Sequence, residues 1–299
     1  MFLPGYRRMD PAEFRRRIGR LFRLAFLCRL CPRECGVDRL RGRSGFCRVP
    51  LMARVASYGP HPGEESVLRG SRGSGTIFFS GCNLGCVFCQ NYDLSHQAHG
   101  RPMSVGALAR VMLALQSRGC PNINLVSPTH LAHAAFAALY LARKEGLEIP
   151  LVYNTGGYDS TELLKALEGL VDIYMPDAKY ADPGLGRRLS AAEDYPRVNR
   201  EALREMYRQV GPLEVDARTG LARRGLLVRH LVLPGHLEDS REIFRFLASL
   251  GEGVGVNVMG QYYPAYRARE HPDLARPLRR SEYAQALEEA REVGLQIIT

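Results

Sequence analysis

From about residue 75 onward the chain repeats one pattern: a short, almost continuously apolar run, then a stretch of helical periodicity. The apolar runs are 76–80, 123–127, 149–153, 171–175, 226–233 and 254–258, with a short one at 295–298. Between them, 104–117, 130–145, 160–169, 197–210, 238–250 and 281–293 carry apolar residues at helical spacing. A strand wetted on one face alternates polar and apolar residues. Runs that stay apolar are covered on both faces, as strands of a parallel sheet packed with helices are. The pattern predicts an α/β fold, either barrel-like or doubly wound. One interruption, 212–225, contains Asp216-Ala217-Arg218-Thr219-Gly220, which reads as a hairpin turn.

At 299 residues and 45% apolar, the chain has material for one large core or two domains, and wholesale disorder is excluded. No apolar run approaches the ~20 residues of a membrane span. The best candidate, 131–142, is interrupted by His133 and followed by Arg143, Lys144 and Glu145. The N-terminus carries Arg7 and Arg8 with no apolar stretch and cleavage site after them, so no signal peptide, no membrane association and a cytoplasmic location are expected.

Eight cysteines fall at 28, 31, 35, 47, 82, 86, 89 and 120, clustered rather than spread. In a cytoplasmic chain such clusters point to metal or iron–sulfur ligation, not to disulfides. Cys82, Cys86 and Cys89 follow the first apolar run directly, and chemistry in parallel α/β folds sits at the C-terminal ends of strands. The spacing C-x3-C-x2-C offers three thiolates to a cubane cluster and leaves the fourth iron open to a ligand. Gly81 and Gly85 let the loop wrap closely. The plainer alternative is zinc, with Cys120, His96 or His99 as fourth ligand.

The string Gly81-Cys82-Asn83-Leu84-Gly85-Cys86-Val87-Phe88-Cys89-Gln90-Asn91, with its aromatic before the last cysteine, resembles the radical S-adenosylmethionine superfamily. Within it, the string is similar to the branch related to pyruvate formate-lyase activating enzymes. The resemblance spans roughly residues 75–265. It implies an open, partial β/α barrel of about six parallel strands, a [4Fe-4S] cluster on Cys82, Cys86 and Cys89, and S-adenosylmethionine on the open iron. The implied enzyme is an oxidoreductase that cleaves S-adenosylmethionine reductively to a 5′-deoxyadenosyl radical. The branch implies activation of a partner protein by glycyl radical formation, with a low-potential electron donor of flavodoxin or ferredoxin type.

The resemblance also assigns the ends of the strands to the cofactor, with Phe88 beside it. After the second strand the family's Gly-Gly-Glu is replaced by Ser127-Pro128-Thr129-His130, so Ser127, Thr129 and His130 stand as cofactor contacts; Ser127 or Thr129 would equally serve as a helix cap. Asn154 opens the turn after the third strand. Asp177-Ala178-Lys179 resembles an Asp-Leu-Lys motif, and composition supports Lys179 separately. Of 41 basic residues only three are lysine, so a compact ammonium at a strand end stands out. Arg229, inside the apolar fifth strand, needs a partner, either a cofactor carboxylate or a structural acid such as Asp177. Gln261 and Tyr262 follow the sixth strand as lid or adenine contacts.

The net charge of +10 is local. Residues 1–54 hold fourteen arginines against four acidic residues, a surplus equal to that of the whole chain. The same segment contains Cys28-x2-Cys31-x3-Cys35-x11-Cys47, a complete four-ligand set for a second iron–sulfur cluster or zinc. We divide the chain into a basic four-cysteine module, 1–70, and a catalytic partial barrel, 71–299. A helix over 10–27, starting at Asp10-Pro11, carries an arginine face that reads as a solvated or protein-docking surface, with nucleic-acid contact the alternative. The competing functions are a radical enzyme acting on RNA or another substrate, and a non-enzymatic iron–sulfur or zinc protein.

Overall fold

The computed structural model describes residues 2–298. Its centre is one sheet of ten strands: β1 (Ala53–His61), β2 (Ser74–Phe79), β3 (Arg101–Met103), β4 (Ile123–Val126), β5 (Leu151–Thr155), β6 (Ile173–Pro176), β7 (Glu214–Val215), β8 (Ala222–Leu231), β9 (Gly255–Met259) and β10 (Gln296–Ile297). The strand order is β10-β9-β8-β6-β5-β4-β2-β1-β3, with β7 paired to β8 as the expected hairpin. From β2 to β10 along this order every pairing is parallel. β10 and β3 end the sheet without pairing to each other, so the barrel stays open. An α/β fold with an open partial barrel is therefore what forms.

Side-chain alternation along the strands makes two layers. Leu125, Tyr153, Tyr174, Val228 and Val256 point outward into a large core with the helices. Val152, Ile173, Met175 and Leu227 point inward and pack on Leu68, which reaches them from the segment between β1 and β2. Two residues further along their strands, the same inward face carries Asn154, Asp177 and Arg229. The pleat that buries an apolar barrel floor thus also aims three polar side chains at one spot above it.

Residues 59–75, dense in glycine and serine as a loop would be, are partly strand. β1 runs antiparallel to β2 at the sheet edge and carries β3 on its other side. Gly59 and Pro60 and its half-exposed positions hide it, as befits an edge strand. A helix at Pro183–Ser190 was also not expected. Its Asp182 cap and Pro183 are good start signals, but Gly184 and Gly186 obscure the periodicity.

The helix Pro11–Phe26 starts as expected, with Asp10 Oδ1 accepting from the Ala12 and Glu13 amides at 2.9 Å. It is not a free basic face. Phe14, Leu21, Leu24 and Ala25 are buried. Arg17 donates to Glu168 O at 2.7 Å, Arg7 to Arg143 O at 2.7 Å and Arg15 to the Tyr140 hydroxyl at 2.8 Å. A guanidinium has five donors, and carbonyls at the ends of the body's helices satisfy several of them. Among the described residues no helix is long and apolar enough to cross a membrane.

Candidate active site

The chain leaves β2 at Ser80, and Gly81 turns it with φ +81° into the three-cysteine loop. Gly85 turns it again with φ +72°. Cys82, Cys86 and Cys89 all border one cavity of about 260 Å³ at the C-terminal ends of the strands. Phe88, Ser127, Asn154, Asp177, Lys179, Arg229 and Gln261 border the same cavity. The structure thus gathers the three cysteines and seven of the ten residues expected at the cofactor.

Thr129 and His130 are not among them. Ser127 adopts φ +55°, an uncommon conformation for a residue with a side chain, and the chain then turns inward. Thr129 donates to Asp159 Oδ1 at 2.7 Å within a buried group that includes Thr155 and the Tyr153 hydroxyl. His130 Nε2 lies 2.8 Å from Ser80 O, and burial lowers its pKa to about 4, so it is a neutral packing residue. Neither Ser127 nor Thr129 caps the following helix, which starts from Leu131 without a side-chain cap. Tyr262 is turned away too: its hydroxyl bonds Leu274 O at 2.7 Å and its ring packs on Phe88. Cys120 is a buried core thiol.

Charge in the cavity is organised around one carboxylate. Asp177 Oδ2 accepts from Lys179 Nζ at 2.7 Å, and Oδ1 lies 2.9 Å from Arg229 Nη2. The same Nη2 donates to Asn154 Oδ1 at 2.7 Å. Arg229 therefore has the structural acid that an arginine in an apolar strand requires, and it also faces the cavity. Burial alone would raise the Asp177 pKa, but Arg229 and Lys179 outweigh it and hold the carboxyl below its ordinary value. Burial opposes the Lys179 charge as well, and Asp177 more than offsets it. The trio itself carries two cations against one anion, with Glu64 and Glu65 also acting on Arg229; the Lys179 and Arg229 donors suit a ligand carrying a carboxylate.

The trio is braced by residues that belong to no motif in the sequence. The Lys179 amide donates to the Tyr195 hydroxyl at 3.1 Å, and Asn199 Nδ2 donates to the carbonyls of Gly157 and Asp177, both at 2.9 Å.

The sulfurs also have partners. The Leu84 amide lies 3.3 Å from Cys82 Sγ, Ser95 Oγ 3.1 Å from Cys89 Sγ, and Ser190 Oγ 3.1 Å from Cys86 Sγ. Tyr180 completes a chain by donating to Ser190 at 2.7 Å. Burial pushes the Cys82 thiol up and Cys89 to about 11. As bare thiols they would stay protonated. Iron ions in the cavity would supply the positive charge that makes buried thiolates favourable, and the donors would then tune them. The donor set fits a cubane that three thiolates would hold, with Lys179, Asp177 and Arg229 lining the same cavity.

Comparison with known proteins agrees with this geometry. The Radical SAM superfamily profile matches residues 76–247. An uncharacterized protein of Methanocaldococcus jannaschii is 34% identical over 284 residues, covering 91% of this chain and 76% of its own. A radical SAM methyltransferase from Sphaerobacter thermophilus shares the fold at TM-score 0.51 and 16% identity, over 95% of this chain and 87% of that one. The radical S-adenosylmethionine methyltransferase TsrM of Kitasatospora setae aligns at TM-score 0.45 and 16% identity over 64% of this chain; this chain covers 34% of its length. With a profile match over more than half of its length, laid on the cysteine loop and the strands that carry the polar trio, this chain belongs to the radical SAM superfamily.

Proposed function

We propose that this chain binds S-adenosylmethionine at a [4Fe-4S] cluster on Cys82, Cys86 and Cys89, cleaves it reductively, and uses the radical to activate a partner protein by glycyl radical formation, as in the branch related to pyruvate formate-lyase activating enzymes. When bound, the cluster supplies the electron that breaks the sulfonium bond and yields a 5′-deoxyadenosyl radical. The chain's own part is placement. Lys179 and Arg229 give the cavity a positive wall for the methionine carboxylate. Asn154 and Ser127 add polar contacts beside it, and Phe88 shields the loop from water.

The observation that supports a large partner over a small molecule lies at the rim of the cavity. Exposed Tyr92 and Tyr266, stacked at 5.1 Å, lie beside the loop and offer a contact surface for a macromolecule that presents one residue to the opening. A flavodoxin- or ferredoxin-type donor would supply the electron. Action on RNA is the second reading, carried by the basic segment, but the bonding of Arg7, Arg15 and Arg17 to the body weakens it.

The reading is tested with reduced, cluster-loaded protein under anaerobic conditions. We expect 5′-deoxyadenosine from S-adenosylmethionine, and deuterium in it when a cell extract labelled with α-deuterated glycine is added. Absence of 5′-deoxyadenosine overturns the radical reading. Its presence without deuterium overturns glycyl activation alone.

A further inference from the structure

The four N-terminal cysteines are not used by the site just described, yet the fold brings them together beside it. Cys28, Cys31 and Cys47 are buried, and Cys35 is half-buried. The Gly36 amide donates to Cys28 O and the Glu34 amide to Cys31 O, both at 3.0 Å, while Cys47 Sγ lies 3.9 Å from Val49 O, which Arg39 bonds beside Cys28. The chain that carries them, 28–52, has only turns and an isolated bridge between Leu27 and Asp38. A segment of this length without helix or ladder is uncommon within a compact domain and needs some other tie. No disulfide provides it, since all four thiols are free.

Two further observations point to an anionic metal centre. Arg39 is 1% exposed, and among the described residues no carboxylate lies within ion-pair distance of it. Its guanidinium donates to His130 O and Pro50 O, both at 2.7 Å, and approaches Cys28 Sγ at 3.9 Å. Its Nε has no partner. A buried cation of this kind requires a buried negative charge, and metal-bound thiolates would provide one. The Phe46 amide points at Cys35 Sγ at 3.4 Å, the type of backbone bond that metal thiolates receive. Zinc and an iron–sulfur cluster would both supply that charge; the direct contact of this segment with the first cysteine loop favours a cluster.

The module is also built onto the first loop. A Cβ at Gly81 would collide with Cys47 O, and one at Gly85 would meet the Phe46 ring at 3.0 Å. Arg33 donates to Asn83 O at 3.0 Å, Leu84 O at 3.1 Å and Ser190 O at 2.8 Å, with its guanidinium 3.9 Å from the Phe46 ring centroid. Backbone of the two cysteine segments is thus in direct contact.

We propose that Cys28, Cys31, Cys35 and Cys47 ligate a second iron–sulfur cluster, counter-charged by Arg39 and adjoining the first. The proposal goes beyond the function given above and stands whether or not S-adenosylmethionine is cleaved.

The test removes the other site and leaves this module intact. The full-length Cys82→Ala/Cys86→Ala/Cys89→Ala variant is prepared anaerobically with iron and sulfide, then analysed for iron, sulfide and zinc and by electron paramagnetic resonance after reduction. We expect about four iron ions per chain, half the wild-type load, and a cubane signal that does not change when S-adenosylmethionine is added. Adding Cys31→Ala to the same variant should remove that iron. About one zinc and no iron in the triple variant overturns the proposal, as does a folded triple variant with neither metal. A cell extract and a cleavage assay play no part here, so this result and that for the proposed function fail separately.

Discussion

Replacing Asp177 with Asn should be far more damaging than its single lost charge suggests, and the structure gives the size. The carboxylate sits 2.7 Å from Lys179 Nζ and 2.9 Å from Arg229 Nη2, with all three side chains less than one-fifth exposed. An amide keeps the shape but leaves two cations facing each other with little water. Breaking a buried ion pair on one side costs about 3–5 kcal/mol. At the ~2 °C per kcal/mol expected for a chain this long, the melting temperature should fall by roughly 6–10 °C.

The cause can be isolated. Lys179→Met leaves the Asp177–Arg229 pair in place and should cost about 1 kcal/mol. In the double variant, Asp177→Asn/Lys179→Met, the repulsion is gone, so the double should be less destabilised than the two singles added together by at least about 1 kcal/mol. Melting of the anaerobic, cluster-loaded proteins measures all four corners. The pH dependence has a definite sign. Asp177 has a depressed pKa in the folded state, so its contribution is complete above the unfolded value near 3.8 and is lost only as pH falls through the lower folded one. The gap between wild type and Asp177→Asn should therefore be constant from pH 5 to pH 8. Additive single effects, or a gap that closes between pH 5 and pH 8, would refute the charge-balance account.

Three other outcomes follow from single contacts. Ser190→Ala removes the hydroxyl 3.1 Å from Cys86 Sγ; a donor to sulfur stabilises the electron-richer reduced cluster, so its potential should become more negative in a redox titration followed by paramagnetic resonance, and an unchanged potential counts against the bond. Gly81→Ala forces a side chain into φ +81° and against Cys47 O, and should cost more than about 1 kcal/mol and loosen both cysteine segments, read as lower iron retention; full retention with an unchanged melting point contradicts the close approach. Asp172 accepts from the Gly5 and Leu151 amides, and burial raises its pKa from 3.8 to about 6. The folded state holds this proton more tightly than the unfolded one, so the contribution is full below pH 4 and lost as pH rises through 6. The stability of wild type relative to Asp172→Asn should fall by up to about 3 kcal/mol between pH 4 and pH 7. A difference that is flat or rises would refute it.

Much of the site was legible because each part of it is local. A strand end followed by C-x3-C-x2-C sets the loop at the top of the sheet. The two-residue pleat that makes Val152, Ile173 and Leu227 inward-facing makes Asn154, Asp177 and Arg229 inward-facing too, so strand-end residues predicted one at a time arrive together. Thr129 and His130 followed the same reasoning and do not reach the cavity, because the left-handed turn at Ser127 takes the chain out of the strand's alternation before them. The sequence shows residue order and periodicity, but a single φ is not visible in it.

By itself, then, the sequence determined the parallel α/β order, the cysteine loop and the inward polar set, since these depend on backbone spacings that repeat every two or 3.6 residues. It also showed that all the excess charge and four cysteines share one segment. Only the tertiary structure decided where that segment goes. Arg33 reaching Asn83, Ser190 reaching Cys86 and Arg39 reaching His130 join residues 50, 104 and 91 positions apart. Such contacts follow no spacing rule. They form when separately folded pieces dock and their buried donors must find acceptors, and that docking set the four-cysteine segment directly against the loop that holds the other three.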